Sequence, residues 1–212
     1  MNVLANADII KAKFIDYVLN EDLFTDSKNL CIGQEVMYGV NKMFADIVVI
    51  ANDKLYAIEI KAQNDSFKRL ENQLLNYKQI FDYVYVIVTK NHLDGLDKIS
   101  TNDFGVLLIN EDQTFTRIRS TKKNSKISKE DVLGTIPATY LRKYFSVTAK
   151  MDADTLRAKL LKQSTLKLKT ALLSYMKSKI VYKYENFLND KGKMSHYEDI
   201  SILSLRNYSI LK

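Results

Sequence analysis

The sequence predicts an α/β protein: a mixed β-sheet flanked by helices, with a basic α-helical extension at its C-terminal end. Three observations predict this class. Short runs rich in Val, Ile and Tyr alternate with segments of helical spacing through residues 1–120. The run from Asp82 to Thr89 is too continuously apolar for a sheet wet on one side, so other elements must cover it. After Arg119 the strand-like runs stop and lysine-rich helical spacing takes over.

The elements follow in order. Leu4 to Asn20 has apolar residues at helical steps, Ile10, Phe14, Tyr17 and Val18. Asn29 to Tyr38 reads as a strand around Cys31, Ile32 and Val36. Residues 45–61 read as a hairpin with Asn52-Asp53 at its tip. Asp65-Ser66 then caps a helix running to about Phe81, with Phe67, Leu70, Leu74, Tyr77 and Phe81 on one face. Strands are expected at 82–89, 104–109 and, at an edge, 114–119, with a short helix near 93–99. Ser120 to Lys129 is polar and basic and reads as a linker or exposed loop. A short helix follows near Thr139 to Phe145. A long helix or a helix pair then spans Asp152 to about Asn189, its apolar positions being Leu156, Leu160, Leu168, Leu172, Tyr175, Ile180, Tyr184 and Phe187. Two parts result: a sheet core at 1–120 and a basic helical region at 121–212.

Charge divides along the same line. Residues 1–120 carry 13 Lys and Arg against 17 Asp and Glu, whereas 121–212 carry 19 against 8. An acidic half that can hold cations is joined to a basic half that can hold polyanions, or simply to a solvated lysine-rich surface. No apolar run approaches the ~18 residues of a membrane span, and the N-terminus lacks the pattern of a signal peptide. Cys31 is the one cysteine, which excludes an internal disulfide framework and a thiolate zinc cluster; it reads as a small buried apolar residue. The cytoplasm is the simplest compartment.

The residues that carry chemistry lie on the hairpin. If Asn52-Asp53 is a two-residue turn, Ala51 faces Lys54, Ile50 meets Leu55, Val48 meets Ala57, and Asp46 meets Glu59. Directly opposed side chains have Cβ atoms roughly 5 Å apart. Two carboxylates placed there among apolar neighbours repel, unless one holds a proton or a cation sits between them. Lys61 lies two residues past Glu59 and so points to the same face. Glu35 supplies a third acid on the preceding strand. Two acids and an ammonium on one patch of a sheet form a constellation for metal-dependent phosphodiester cleavage. His92, after the 82–89 strand, is a further candidate by position, although a lone histidine is more often structural. Tyr182 and Tyr184 sit among lysines where they could stack on bases, although packing is the commoner fate of a helical tyrosine.

With Glu35, Asp46, Glu59-Ile60-Lys61 and Gln73-Leu74-Leu75-Asn76-Tyr77 in view, the sequence resembles the PD-(D/E)XK nuclease superfamily, the restriction-endonuclease-like fold. Residues 45–90 are similar to an uncharacterised bacterial branch with a Gln-x-x-x-Tyr helix, through Asp65, Arg69-Leu70, Phe81-Asp82 and Tyr85-Val86 as well. The likeness covers roughly residues 30–119, and Ala45 stands where the superfamily name expects proline. The resemblance implies a metal-dependent nuclease and favours DNA over RNA as its substrate. In it Asp46 and Glu59 bind Mg²⁺ or Mn²⁺, the Ile60 carbonyl and Glu35 complete the shell, and Lys61 positions the attacking water. Gln73 and Tyr77 line the site. Arg69 and the C-terminal cations Arg157, Lys159, Lys162, Lys167 and Lys169 are the candidate phosphate contacts. A homodimer is compatible with this reading. The competing expectation is a catalytically inactive nucleic-acid-binding or assembly module on the same scaffold.

Overall fold

The computed structural model describes residues 3–20, 23–24, 27–100 and 103–206. It is an α/β protein built on a six-stranded mixed sheet with strand order β1-β2-β3-β4-β5-β6. The strands are β1 (Cys31–Tyr38), β2 (Met43–Ala51), β3 (Lys54–Lys61), β4 (Tyr83–Val88), β5 (Gly105–Ile109) and β6 (Phe115–Arg119). β1, β2 and β3 are antiparallel, β4 and β5 run parallel to β3, and β6 returns antiparallel. A parallel step from β3 to β4 needs a crossover. Its helix is α2 (Leu70–Tyr77), entered through a 3-10 turn at Phe67–Arg69. Ser66 caps that turn by accepting from Lys68 N. The helix stops at Tyr77, short of the expected Phe81. Residues 78–81 close it as turns, with Ile80 N and Phe81 N both donating to the Tyr77 carbonyl.

The β2–β3 hairpin has the expected register: Ala51 faces Lys54, Ile50 faces Leu55 and Val48 faces Ala57. Asn52 and Asp53 both adopt left-handed φ, +50° and +57°. A two-residue type I′ turn requires this of its two central residues, and Asn and Asp tolerate it better than other side chains.

Helix α1 (Ala7–Asn20) packs against β3, and its Phe14 and Tyr17 rings meet Phe115 of β6. The short α3 (Leu93–Leu96) follows β4. Beyond β6, the polar stretch 120–128 crosses the base of the sheet, pinned by Asn124 N to the Asp82 carbonyl and by Ser128 N to the Gln79 carbonyl. Helix α4 (Lys129–Thr135) begins where the linker was expected to end. Ser128 caps it by accepting from Asp131 N, with Glu130 and Asp131 in its first turn. α5 (Ala138–Tyr144) follows Pro137. The segment 152–189 is a pair, α6 (Ala153–Leu160) and α7 (Thr165–Asp190), capped by Asp152 and Ser164. The eight apolar positions expected for this pair are all buried.

The sheet core at 1–120 and the basic helical region at 121–212 pack together. Apolar residues of α4 to α7 belong to the same buried cluster as those of the sheet. α7 lies directly on β1. A Cβ on Gly33 would stand 2.9 Å from Ile180 Cγ1, so only glycine lets the helix come this close. Two lysines clip α7 to the β2–β3 side: Lys177 to Asp53 at 2.5 Å, and Lys169 to the buried Asp82. Past α7, Ser195 binds Asp16 of α1 through both its N–H and its hydroxyl. A 3-10 turn at Asp199–Leu203 leads to Ser204, which bridges parallel to Gln34 and covers the outer edge of β1. Among the described residues no helix is long and apolar enough to cross a membrane.

Candidate active site

The site lies where three strands come apart. β1 and β2 pair at Gln34↔Ile47 and again at Val36↔Ala45, leaving Glu35 and Asp46 facing each other between those pairs. Glu35 has φ of +50°, a conformation unfavourable for a glutamate. β2 and β3 pair as far as Ile47↔Ile58, so Asp46 and Glu59 fall opposite each other one step beyond the last pair. There a side chain replaces the ladder: Asp46 Oδ2 accepts from Ile60 N at 2.9 Å. The acid is thereby fixed against the backbone of the strand that carries Glu59 and Lys61.

Glu59 is 2% exposed, and each of its oxygens accepts one hydrogen bond. Its Oε1 accepts from Lys61 Nζ at 2.8 Å, and its Oε2 accepts from the Tyr77 hydroxyl. Lys61 Nζ also donates to Gln73 Oε1 at 3.0 Å. Gln73 and Tyr77, four residues apart on α2, share one helix face and reach down to β3 together. The structure thus gathers Asp46, Glu59, Lys61, Gln73 and Tyr77. Burial, and then the charge of Glu59, push the Asp46 carboxyl up to about 7, against the pull of the Ile60 N–H, Lys11 and Lys61. Burial and the same two acids raise the Tyr77 and Tyr38 phenols far above their ordinary range.

Two members of the neighbourhood carried no motif. Lys11 of α1 is buried and pairs with Asp8 at 2.9 Å. Burial pulls its pKa down, but Asp8, with Asp46 and Glu35 behind it, carries it above the ordinary lysine value. Its signal was a lysine on the apolar face of a helix, three and four residues before Phe14 and Ile15. Tyr38 packs its ring 5.3 Å from that of Tyr77, and its buried hydroxyl has no hydrogen-bond partner among the described residues. An orphaned hydroxyl beside two acids is a place for an ordered water.

Other candidates sit elsewhere or do other work. Glu35 was expected to complete a metal shell. Its left-handed backbone instead directs the carboxylate to the Ser204 hydroxyl at 2.7 Å and toward Arg206 at 3.9 Å. Arg157 was expected to meet phosphate. It points inward, donating to the Leu133 and Ile136 carbonyls. Lys169 is tied to Asp82. Lys167 lies over the Phe145 ring at 5.5 Å. Arg69, Lys159 and Lys162 are exposed. His92 stacks on Phe67 and its Nε2 meets the Ala62 carbonyl at 2.9 Å, a structural role. Tyr184 is buried and Tyr182 is 70% exposed. Cys31 is buried, and burial pushes its thiol up to about 11.

The donors at the acid pair are all hard oxygens: Asp46, Glu59 and the Ile60 carbonyl. No group of three or more His, Cys, Asp or Glu with metal-binding geometry occurs among the described residues. Magnesium commonly takes only one or two carboxylates and keeps waters or phosphate oxygens for the rest. The pair, with the orphaned Tyr38 hydroxyl beside it, fits such an ion.

Comparison with known proteins gives the chain its relatives. Protein cII of Enterobacteria phage P4 is 24% identical over 216 residues, covering 96% of this chain and 80% of that protein. Among solved structures, a protein of unknown function from Silicibacter pomeroyi, SPO1766, aligns over 77% of this chain and 84% of its own with 11% identity and a TM-score of 0.35, too distant to carry an argument. The family described as Bacteriophage P4 protein cII matches residues 1–204, and the chain belongs to that family.

Proposed function

We propose that this protein is a metal-dependent nuclease that hydrolyses phosphodiester bonds, in DNA by preference, at the Asp46–Glu59–Lys61 centre. The observation that carries the reading is the convergence of those three residues with Gln73 and Tyr77 across β2, β3 and α2. The preference for DNA and the assignment to the PD-(D/E)XK superfamily rest on the sequence resemblance. Asp46, Glu59 and the Ile60 carbonyl would hold Mg²⁺ or Mn²⁺. When bound, the ion lowers the pKa of a coordinated water and offsets charge on the phosphate.

The chain's own residues do the remaining work. The Ile60 N–H orients Asp46. The Tyr77 hydroxyl holds Glu59 from behind and leaves lone pairs of the carboxylate for a cation. Lys61, aimed by Gln73, presents its ammonium to the attacking water and to charge developing on the phosphate. Lys11 supplies a second cation at the rim. The exposed Arg69, Lys159, Lys162 and Lys167 draw the polyanion in at longer range.

A second reading, a nucleic-acid-binding module without catalysis, is favoured by the occupancy of both Glu59 oxygens by Lys61 and Tyr77. One experiment separates the two. Supercoiled plasmid and linear single- and double-stranded DNA are incubated with Mg²⁺, Mn²⁺ or EDTA, with Asp46→Ala and Lys61→Ala alongside. We expect nicking or degradation that needs the metal and is lost in both variants. Binding without metal-dependent cleavage, or equal cleavage by the variants, would leave only the second reading.

A further inference from the structure

We propose that Phe44 and Arg206 form a stacking subsite for an unpaired nucleobase next to the acid pair. The proposal rests on the nucleic-acid part of the reading above and adds a specificity to it. Phe44 lies two residues before Asp46 on β2, and it is 40% exposed in a strand whose other aromatic and aliphatic residues are mostly buried. Its partner across the β1–β2 ladder, Met37, is 39% exposed, so this end of the strand pair presents an apolar surface to solvent.

The Arg206 guanidinium stands over the Phe44 ring at 5.1 Å from its centroid, with its side chain 53% exposed. It is brought there from the far end of the chain by specific bonds. Leu205 N donates to the Gln34 carbonyl at 2.9 Å, the Ser204 hydroxyl donates to Glu35, and Lys183 Nζ holds the Ser204 carbonyl at 2.6 Å. Arg206 Nη1 lies 3.9 Å from Glu35 Oε1, and Glu35 faces Asp46 between the two paired segments of β1 and β2. Glu35 also lines a cavity of about 390 Å³ with Lys11, Tyr197 and Ser201.

At 5.1 Å the guanidinium and the ring are already in contact, so a base stacks on the outer, solvent-facing plane of this cation–ring pair, with the cation within reach of its phosphate. Inside a duplex both faces of each base are covered by its neighbours. A base can enter this stack only from a single strand, a frayed end or a splayed step. The subsite therefore selects unpaired nucleotides beside the scissile bond.

The chain contains no tryptophan, so Phe44→Trp introduces a single fluorescent reporter. It is titrated in EDTA, where cleavage plays no part, with oligothymidylate of about 12 nucleotides, within the site sizes common for single-strand binders. A duplex of equal length and heparin are titrated in parallel. Ile118→Trp on β6, at the opposite edge of the sheet, is the remote control. Binding is read independently by the anisotropy of a labelled oligonucleotide. We expect saturable quenching by the single strand, weaker quenching by the duplex and none at the control position. Phe44→Leu should weaken single-strand binding about tenfold, the scale of one lost base stack, and leave duplex binding little changed. Arg206→Lys should weaken it several-fold despite its conserved charge.

Oligonucleotide binding with an unchanged indole signal, or equal quenching by heparin, overturns the subsite. Failure to bind any nucleic acid overturns it together with the proposed function. Quenching without cleavage in Mg²⁺ leaves the subsite standing and removes the nuclease. Cleavage without quenching does the reverse.

Discussion

At the scale of single residues, Asp46 is the most consequential. Its carboxyl is pushed up to about 7 by burial and by Glu59, from an ordinary value of 3.8. The folded protein therefore binds more protons than the unfolded chain between about pH 4 and pH 7. In EDTA, this group makes stability fall as pH rises through that window and level off above it. Asp46→Asn keeps an oxygen for the Ile60 N–H and removes the charge. We expect the variant to match the wild type near pH 4 and to exceed it by ~1–3 kcal/mol at pH 8, measured by urea unfolding. A variant less stable than wild type at pH 8 would mean that the Asp46 charge is already well compensated. Tyr77→Phe should cost ~1–3 kcal/mol, because it removes a hydrogen-bond donor from a buried carboxylate; a neutral outcome would show that Glu59 does not depend on it.

At the scale of elements, the hairpin and α7 behave differently toward a reader of the sequence. The β2–β3 register was legible because Asn52-Asp53 demands a two-residue turn and every later pair follows by counting. The helical positions were legible because burial follows a period of about 3.6 residues. Glu35 was not. No local signal marks a glutamate that will adopt a positive φ, and its partner Ser204 is 169 residues away. Lys169 and Arg157 misled for a related reason. In a lysine-rich segment, a cation bound for a buried partner looks like its solvated neighbours, and Asp82 lies 87 residues from Lys169. Lys169→Ala leaves the 4%-exposed Asp82 side chain without its counter-charge and should cost ~1–3 kcal/mol. Lys159→Ala and Lys162→Ala, at exposed positions, should stay within about 0.5 kcal/mol of wild type. Thermal denaturation of the three variants in parallel distinguishes the clip from the solvated surface, and equal effects would refute the distinction.

At the scale of the molecule, charge and packing divide the chain at different places. The sequence changes character near residue 120, yet α7 covers β1 and the C-terminal segment seals its edge. One consequence is that a chain ending at residue 120 would expose the apolar side of β1 and the seat of α7. We expect it to show no cooperative unfolding transition, whereas the full chain melts in one step. A cooperatively folding 1–120 would restore the two-part division. A second consequence concerns the site. Its floor comes from the sheet and α2, while Ser204 and Arg206 of the C-terminal segment hold Glu35 at the rim. The basic half thus shapes one wall of the centre.

The central claim is that Asp46 and Glu59 share one divalent cation. It is tested most directly by Mn²⁺ titration followed by electron paramagnetic resonance at pH 8, on the wild type, Asp46→Asn, Glu59→Gln and the double variant. The account predicts one saturable Mn²⁺ site in the wild type, lost in either single variant, with the double variant no worse than each single. Absence of a saturable site, or losses that add independently in the double variant, would contradict it.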